Sequence, residues 1–156
     1  MRTLILLLTL TVSLSATSQL YISDKISFKK AVKNLVFEKV EYELYGTTVK
    51  TVRLSEETRK TLKKSRVKSV QKLSGALNAV DIQLEDAKSV LADYNYPLRS
   101  RASMRIESLK GMADIPQVAI YEKEAQLHEE LYEKELKRLK ESGELQAIID
   151  KNTQRY

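Results

Sequence analysis

Apolar residues recur at alternating spacings of three and four through the middle of the chain. They are Val70, Leu73, Leu77, Val80, Leu84, Ala87, Leu91 and Tyr94. This seven-residue repeat places one apolar stripe along a helix and is typical of the seam of a coiled coil or an antiparallel helical hairpin. Upstream, Ser55 offers an N-cap hydroxyl, and Glu56 and Glu57 offer first-turn carboxylates. The pattern therefore predicts a helix that begins near Ser55.

Further helical segments follow this stripe. The residues Asn95-Tyr96-Pro97 predict a stop, because proline disfavours the α conformation of the residue before it. Helices are predicted over about residues 98–110 and 117–141. The second carries the stripe Val118, Tyr121, Ala125, His128, Tyr132, Leu136 and Leu139. Ser142-Gly143 ends it, and residues 143–156 predict a short C-terminal helix and a polar tail.

The N-terminal third has a mixed pattern. A first helix is predicted from about Phe28, with an apolar face that reaches Val36. Alternating apolar and polar residues then precede Gly46. One interpretation continues a helix to about Leu44, with an extended linker after Gly46. The other is a small β-hairpin near residues 39–54. The helix is the preferred interpretation at this point, and the hairpin stays open.

The first residues resemble a secretory signal. Arg2 precedes an apolar run that is shorter than the roughly 20 residues of a membrane span. Small residues at Ala16-Thr17-Ser18 follow, as a signal peptidase requires. We therefore predict a signal peptide over residues 1–18 and a secreted or periplasmic protein after cleavage near Ser18. A buried N-terminal helix and an uncleaved anchor are the alternatives.

Composition narrows the fold class. The chain contains four Gly, two Pro, no Cys and no Trp, while 31% of its residues are charged. Few turn residues and many helix formers predict an all-α protein. We expect an elongated antiparallel helical hairpin or coiled coil. A helix and a linker or hairpin occupy residues 19–54, the long helical hairpin residues 55–142, and the short helix and tail residues 143–156.

The stretch RKTLKKSRVKSVQK forms a basic strip without an acidic residue. Its cations are Arg59, Lys60, Lys63, Lys64, Arg66, Lys68 and Lys72. If the chain folds back near Pro97, this strip faces Glu122–Glu133, which is rich in glutamate. Ion pairs between the two segments are the preferred interpretation, because such pairs set helix register. Binding of an anionic surface or of nucleic acid is the alternative, although no nucleic-acid motif accompanies the strip.

Residues that carry catalysis are scarce. The chain has one histidine and no cysteine, so His128-Glu129 has no second His to complete a zinc-protease helix. No phosphate-binding loop or nucleophile motif is present in the sequence. The many glutamates of residues 122–144 alternate with lysines, as on a solvated helix surface. We predict no catalytic, metal or cofactor site, and a protein that is not an enzyme.

Tyrosines and arginines cluster at the predicted hairpin tip. They are Tyr94, Tyr96, Arg99, Arg101 and Arg105. Tyr and Arg are enriched in the hot spots of protein interfaces, so these residues are candidates for partner contact. In the alternative interpretation the tyrosines pack the turn and the arginines are solvated.

With its signal segment, small basic mature chain and paired long helices, the sequence resembles Skp-type periplasmic chaperones and small helical components of conjugative secretion machines. The strand-rich ends that join a Skp trimer are not recognisable here, so no family residue is carried over. We expect an exported, non-catalytic coiled-coil protein that acts in assembly or protein–protein interaction at the cell envelope. A Skp-like holding chaperone is the alternative, and a structural protein that binds anionic surfaces or nucleic acid is the second. The expected partner is a protein or a second copy bound through helical faces. Membrane contact would occur only through an uncleaved N-terminus or the basic strip.

Overall fold

A computed structural model of the protein describes residues 23–89 and 97–154. Within these residues the chain forms six helices and a two-stranded antiparallel sheet. In chain order they are α1 (residues 23–33), β1 (Phe37–Leu44), β2 (Thr47–Leu54), α2 (Glu56–Lys63), α3 (Lys68–Asp86), α4 (Pro97–Met112), α5 (Val118–Ser142) and α6 (Glu144–Thr153). A 3-10 turn, Ala87–Ser89, follows α3. The predicted all-α class is therefore wrong.

The β-hairpin replaces the helix that was preferred for this part of the chain. Phe37 pairs with Leu54, and Leu44 pairs with Thr47 across a two-residue turn. Both turn residues, Tyr45 and Gly46, have positive φ angles, 49° and 77°. This is the backbone of the type I′ turns that match the twist of paired strands. Alternating β-branched and aromatic residues bury one face of such a hairpin, which a helix at the same positions would not do.

Ser55 caps α2, as the sequence pattern predicts. The Thr58 backbone N–H donates a hydrogen bond of 3.2 Å to Ser55 Oγ. However, α2 ends at Lys63, and α3 starts only at Lys68 after a short turn. The basic strip thus runs over two helices and the turn between them, and no continuous long helix extends from Ser55.

The seven-residue stripe is buried, but in a mixed core. Its described members are between 0% and 7% exposed: Val70, Leu73, Leu77, Val80, Leu84 and Ala87. Ala102, Ile106 and Leu109 of α4 recur at spacings of four and three and pack in the same cluster, with Leu54 of β2 and Tyr121 of α5. The seam therefore closes within one chain against helices and a sheet. The predicted elongated hairpin or coiled coil is wrong, because α4 and the sheet cover the stripe.

α5 packs across the sheet, α4 and α6. Directly paired strand residues share a face, so Tyr42 lies beside Val49, and Thr51 and Arg53 follow on the same face. That face of β2 is buried. A second, smaller cluster joins Tyr132 and Leu139 of α5 to Ala87, with Tyr45, Leu136, Leu145 and Ile148 packed against it. The hairpin tip is thereby attached to the C-terminal helices.

The predicted signal peptide, residues 1–18, lies outside the described residues. Among the residues that the structure does describe, no helix is long and apolar enough to cross a membrane.

Candidate functional site

A buried ion pair joins the hairpin to α5. Arg53 and Glu124 have side chains that are 10% and 1% exposed. The guanidinium donates from Nη1 to Glu124 Oε2 at 2.8 Å and from Nη2 to Glu124 Oε1 at 2.6 Å. Such two-pronged contacts are the strongest geometry available to an Arg–carboxylate pair. The ion pair holds β2 against α5 through its charges and through the defined geometry of its two hydrogen bonds.

Two hydroxyl groups complete the coordination of this carboxylate. Tyr42 donates to Glu124 Oε1 at 2.7 Å, and Thr51 donates to Oε2 at 2.5 Å. Burial opposes ionisation of Glu124, but the hydrogen bonds from Arg53, Thr51 and Tyr42 prevail and lower its pKa. Burial and the same carboxylate raise the pKa of the Tyr42 phenol. We call Tyr42, Thr51, Arg53, Glu124 and His128 the polar cluster.

His128 closes the polar cluster one helical turn after Glu124. Its Nε2 lies within hydrogen-bond distance of the Tyr42 hydroxyl, and the two rings meet edge to face at 5.9 Å. Because Tyr42 gives its proton to Glu124, Nε2 of His128 must carry the proton that it donates to Tyr42. Burial lowers the pKa of His128, and the charges of Arg53 and Lys88 lower it further, against the opposing effect of Glu124. His128 is therefore neutral near pH 7.

Charges at the rim balance the polar cluster. Glu85 accepts from Arg53 Nη2 at 3.3 Å and from Lys88 Nζ at 2.5 Å. Lys88 also lies over the Tyr42 ring, 3.7 Å from its centroid, in a cation–π contact. With His128 neutral, two positive and two negative side chains remain, Arg53 and Lys88 against Glu124 and Glu85. The polar cluster and its rim therefore carry no net charge.

A second buried carboxylate lies on α3. Asp81 of α3 is 3% exposed and accepts from the Tyr121 hydroxyl at 2.9 Å and from Arg59 Nη2 at 3.1 Å. Arg59 also donates to the Leu54 carbonyl at 3.4 Å. Burial raises the pKa of Asp81 despite these contacts, and burial together with Asp81 raises the pKa of Tyr121. Arg59 is the first cation of the basic strip, and these contacts engage its guanidinium partly inside the fold.

The hydrogen bonds of the polar cluster limit its chemistry. A carboxylate offers about four lone-pair sites. In Glu124 four donors occupy them, two from Arg53 and one each from Thr51 and Tyr42. A general base needs a free lone pair aimed at its substrate and a pKa near the working pH. Glu124 has neither, so this arrangement serves to hold the sheet on α5.

The predicted pairing between the basic strip and Glu122–Glu133 is wrong. Glu124 pairs with Arg53, and Glu122 pairs with Lys110 of α4. The physical reason is topological: α5 packs on the sheet and α4, so it does not run back along α2 and α3. Apart from Arg59, the strip is exposed, and only Lys60 forms an ion pair within the described residues, with Glu56 at 3.6 Å.

Lysines of α1 extend the exposed part of the strip. We call the combined set the basic face; its members, all exposed, are Lys25, Lys29, Lys30, Lys33, Lys60, Lys63, Lys64, Arg66, Lys68 and Lys72. Asp24 at the start of α1 accepts a hydrogen bond from Ser69 of α3. Lys25 and Lys72 line one small groove with Phe28. These contacts bring the α1 lysines beside the strip, which the sequence did not predict.

The predicted tip residues fall partly outside the described residues. Tyr94 and Tyr96 are not described, and Arg99 lies in the first turn of α4. Arg101 and Arg105 are exposed on α4, one helical turn apart. Met104, 70% exposed, lies on the same side of that helix. The tip therefore stays a candidate contact surface, without a geometry for its tyrosines.

Sequence reasoning missed Arg53, Asp81 and Glu124 as buried polar residues, although the spacing of Asp81 and Glu124 contained a signal. Glu124 follows Tyr121 by three positions and precedes His128 by four, so it lies on the predicted apolar stripe of α5. Asp81 follows Leu77 by four positions and precedes Leu84 by three, so it lies on the apolar stripe of α3. A charged residue inside an apolar stripe indicates a buried polar partner.

Comparisons of the chain with protein-family models, with curated proteins and with solved structures find no match. In the described part of the chain, no group of three or more His, Cys, Asp or Glu side chains is arranged to hold a metal ion.

Proposed function

We propose that this protein is an exported, non-catalytic interaction protein of the cell envelope, which binds an anionic partner through its basic face. The observation that carries the proposal is the basic face itself. Nine of its ten cations are without an ion pair within the described residues, and Lys60 is the exception. Like charges held together on a folded surface repel each other, and an acidic partner relieves that repulsion.

The buried groups support the non-catalytic part of the proposal. Glu124 has its acceptor sites filled, and Asp81 accepts from Tyr121 and Arg59. These are the carboxylates whose burial would otherwise suit them to acid–base chemistry. Glu124 anchors the sheet to α5 and Asp81 joins α3 to α2 and α5, so the exposed charge is left for recognition.

Cross-linking from defined positions tests this function. A photoactivated cross-linking side chain placed at Lys68, in the basic face, should give one discrete product with a partner in the native envelope. The same group at Lys137 of α5, whose side chain is 78% exposed, is the matched control and should give none. Equal products from both positions, or none from Lys68, would contradict the proposal.

Two further measurements address export and the chaperone alternative. The mass of the protein recovered from the periplasm or medium should correspond to a chain that starts after Ser18; an intact Met1 would contradict export.

A holding chaperone would suppress aggregation of a denatured outer-membrane β-barrel protein. We expect no suppression at equimolar ratio, and light scattering should give a defined mass for the mature protein that does not change when the denatured client is added.

A further inference from the structure

A groove of about 600 Å³ separates α1 from α2 and the turn after it. This volume lies inside the range of about 300–1,000 Å³ that is usual for ligand sites. Lys30 and Asn34 of α1 form one wall, and Thr58, Thr61 and Ser65 form the other. The groove therefore lies between two elements that carry the basic face, and Lys30 of that face lines it.

The groove combines polar walls with an apolar floor. Leu62 of α2, Val70 of α3 and Val67 of the intervening turn belong to the lining, together with Val36, which is 55% exposed before β1. Hydroxyl and amide groups above such a floor can bond to backbone or side-chain polar groups, while the floor accepts apolar side chains. A purely ionic ligand would leave the floor uncovered.

The elements that form the walls of this groove are rich in positive charge. α1 carries four lysines of the basic face, of which Lys30 lines the groove, and α2, the turn after it and the start of α3 carry the other six cations. Two carboxylates, Glu38 and Glu57, also line the groove and reduce the local potential. The excess of cations still selects for an acidic ligand, since complementary charge governs encounter and partner choice.

We propose that the groove binds an acidic polypeptide segment with apolar side chains on one side, supplied by an envelope partner. This inference rests on the proposed function and gives the partner its chemistry. The carboxylates of the segment meet the lysines on either side, and its apolar side chains cover Val36, Val67 and Leu62. Partners of this kind bind as an amphipathic helix or an extended strand in a preformed groove.

Two other anionic partners fit this shape less well. A bilayer surface is flat on this scale, so its headgroups would reach the lysines and leave the concave floor uncovered. Single-stranded nucleic acid binds through bases stacked on aromatic rings. The described lining of the groove contains no aromatic side chain. The concavity and its apolar floor therefore favour a polypeptide.

Three synthetic peptides of about 14 residues test the chemistry of the ligand. The first is an amphipathic helix of Glu, Leu and Ala, the second has Gln in place of Glu, and the third has Ala in place of Leu. Fluorescence anisotropy with the mature chain should show binding of the first, and binding at least ~10-fold weaker for each of the others. Equal binding of the first and third would show that charge alone acts, and would overturn the proposal.

Groove-filling variants test the location. Thr61→Trp occupies the groove from α2 without a change of charge, and Asn34→Trp does so from α1. Thr61 and Asn34 are exposed, so circular dichroism should show a folded protein in both cases. Each should weaken binding of the acidic amphipathic peptide by ~10-fold or more, whereas Lys137→Glu should change it by less than ~2-fold. If both Trp variants bind like the parent, the peptide does not use the groove.

Competition separates the partner classes. Two competitors are tested, vesicles of phosphatidylglycerol and phosphatidylcholine and a single-stranded oligonucleotide. Each should displace the peptide at low salt only, because its binding to the lysines is screened at high salt. Displacement by either at high salt would overturn the choice of a polypeptide. Failure of the peptide to bind, with the Lys68 cross-link intact, would overturn this inference and leave the proposed function standing.

Discussion

Removal of the Glu124 carboxylate should be the most damaging single change in this protein. Glu124→Ala deletes the acceptor of four hydrogen bonds and leaves Glu85, at 3.3 Å, as the only ion-pair partner of Arg53 among the described residues. Loss of one member of a buried ion pair costs about 3–5 kcal/mol, because the remaining charge stays desolvated. The free energy of unfolding of a whole domain is about 5–15 kcal/mol. We therefore expect a variant that is marginally folded at best.

A double-mutant cycle separates the ion pair from simple loss of packing. Arg53→Met leaves the Glu124 carboxylate buried and should cost a similar amount. The combination of Arg53→Met and Glu124→Ala removes both charges, so the total loss should fall well below the sum of the single losses. A residual cost of about 1–3 kcal/mol per group remains, because the hydroxyls of Tyr42 and Thr51 lose their acceptor.

Urea denaturation followed by far-ultraviolet circular dichroism measures these losses, since the chain has no Trp for fluorescence. Glu130→Ala is the matched control, because Glu130 is exposed on the same helix. It should change the free energy of unfolding by no more than about 0.5 kcal/mol. If Glu124→Ala falls within about 1 kcal/mol of this control, or if the two single losses add, the ion pair does not hold the sheet on α5.

Three other predictions concern the core, the backbone and pH. Leu77→Ala, at a position that is 0% exposed, should lower the free energy of unfolding by about 2–5 kcal/mol in urea denaturation; an unchanged midpoint would contradict the seam. Gly143→Ala should lower the melting temperature, because Gly143 has a φ of 81°. Gly75→Ala should raise the melting temperature, because Gly75 lies inside α3 with open space around its Cα. A change in the same direction for both variants would refute the backbone argument. Since the folded state lowers the pKa of His128, the unfolded state binds more protons below about pH 6.5, and stability should fall as pH decreases from there. Comparison of urea midpoints at about pH 7.5 and 5.5 should show a smaller decrease for His128→Phe than for the parent, and equal decreases would exclude His128 as the cause.

The helical parts of this fold were accessible from sequence because helical periodicity is local. Spacings of three and four identify the buried side of α3 without knowledge of what covers it. The covering elements are α4 and the sheet, and their arrangement depends on contacts between residues far apart in the chain. The same apolar stripe is compatible with a coiled coil and with a mixed core, so the stripe alone led to the wrong fold class.

The polar cluster and the groove were less predictable for different reasons. Alternation along β2 places Val49, Thr51 and Arg53 on one face, but this pattern has meaning only after the segment is recognised as a strand. The turn was hard to recognise in the sequence because Tyr45 occupies its first position, where type I′ turns usually carry Asn, Asp or Gly at positive φ. The basic strip was visible, whereas its groove requires the position of α1, for which no sequence pattern gave a signal.

The distance along the chain between Arg53 and Glu124 governs when the protein can complete its fold. Arg53 must wait for a partner 71 residues downstream, and Asp81 for Tyr121, 40 residues downstream. In a chain that emerges N-terminus first, Arg53 has no Glu124 to pair with until α5 has emerged. Folding that depends on distant contacts is slow. We therefore expect such a chain to complete its fold only after α5 has emerged.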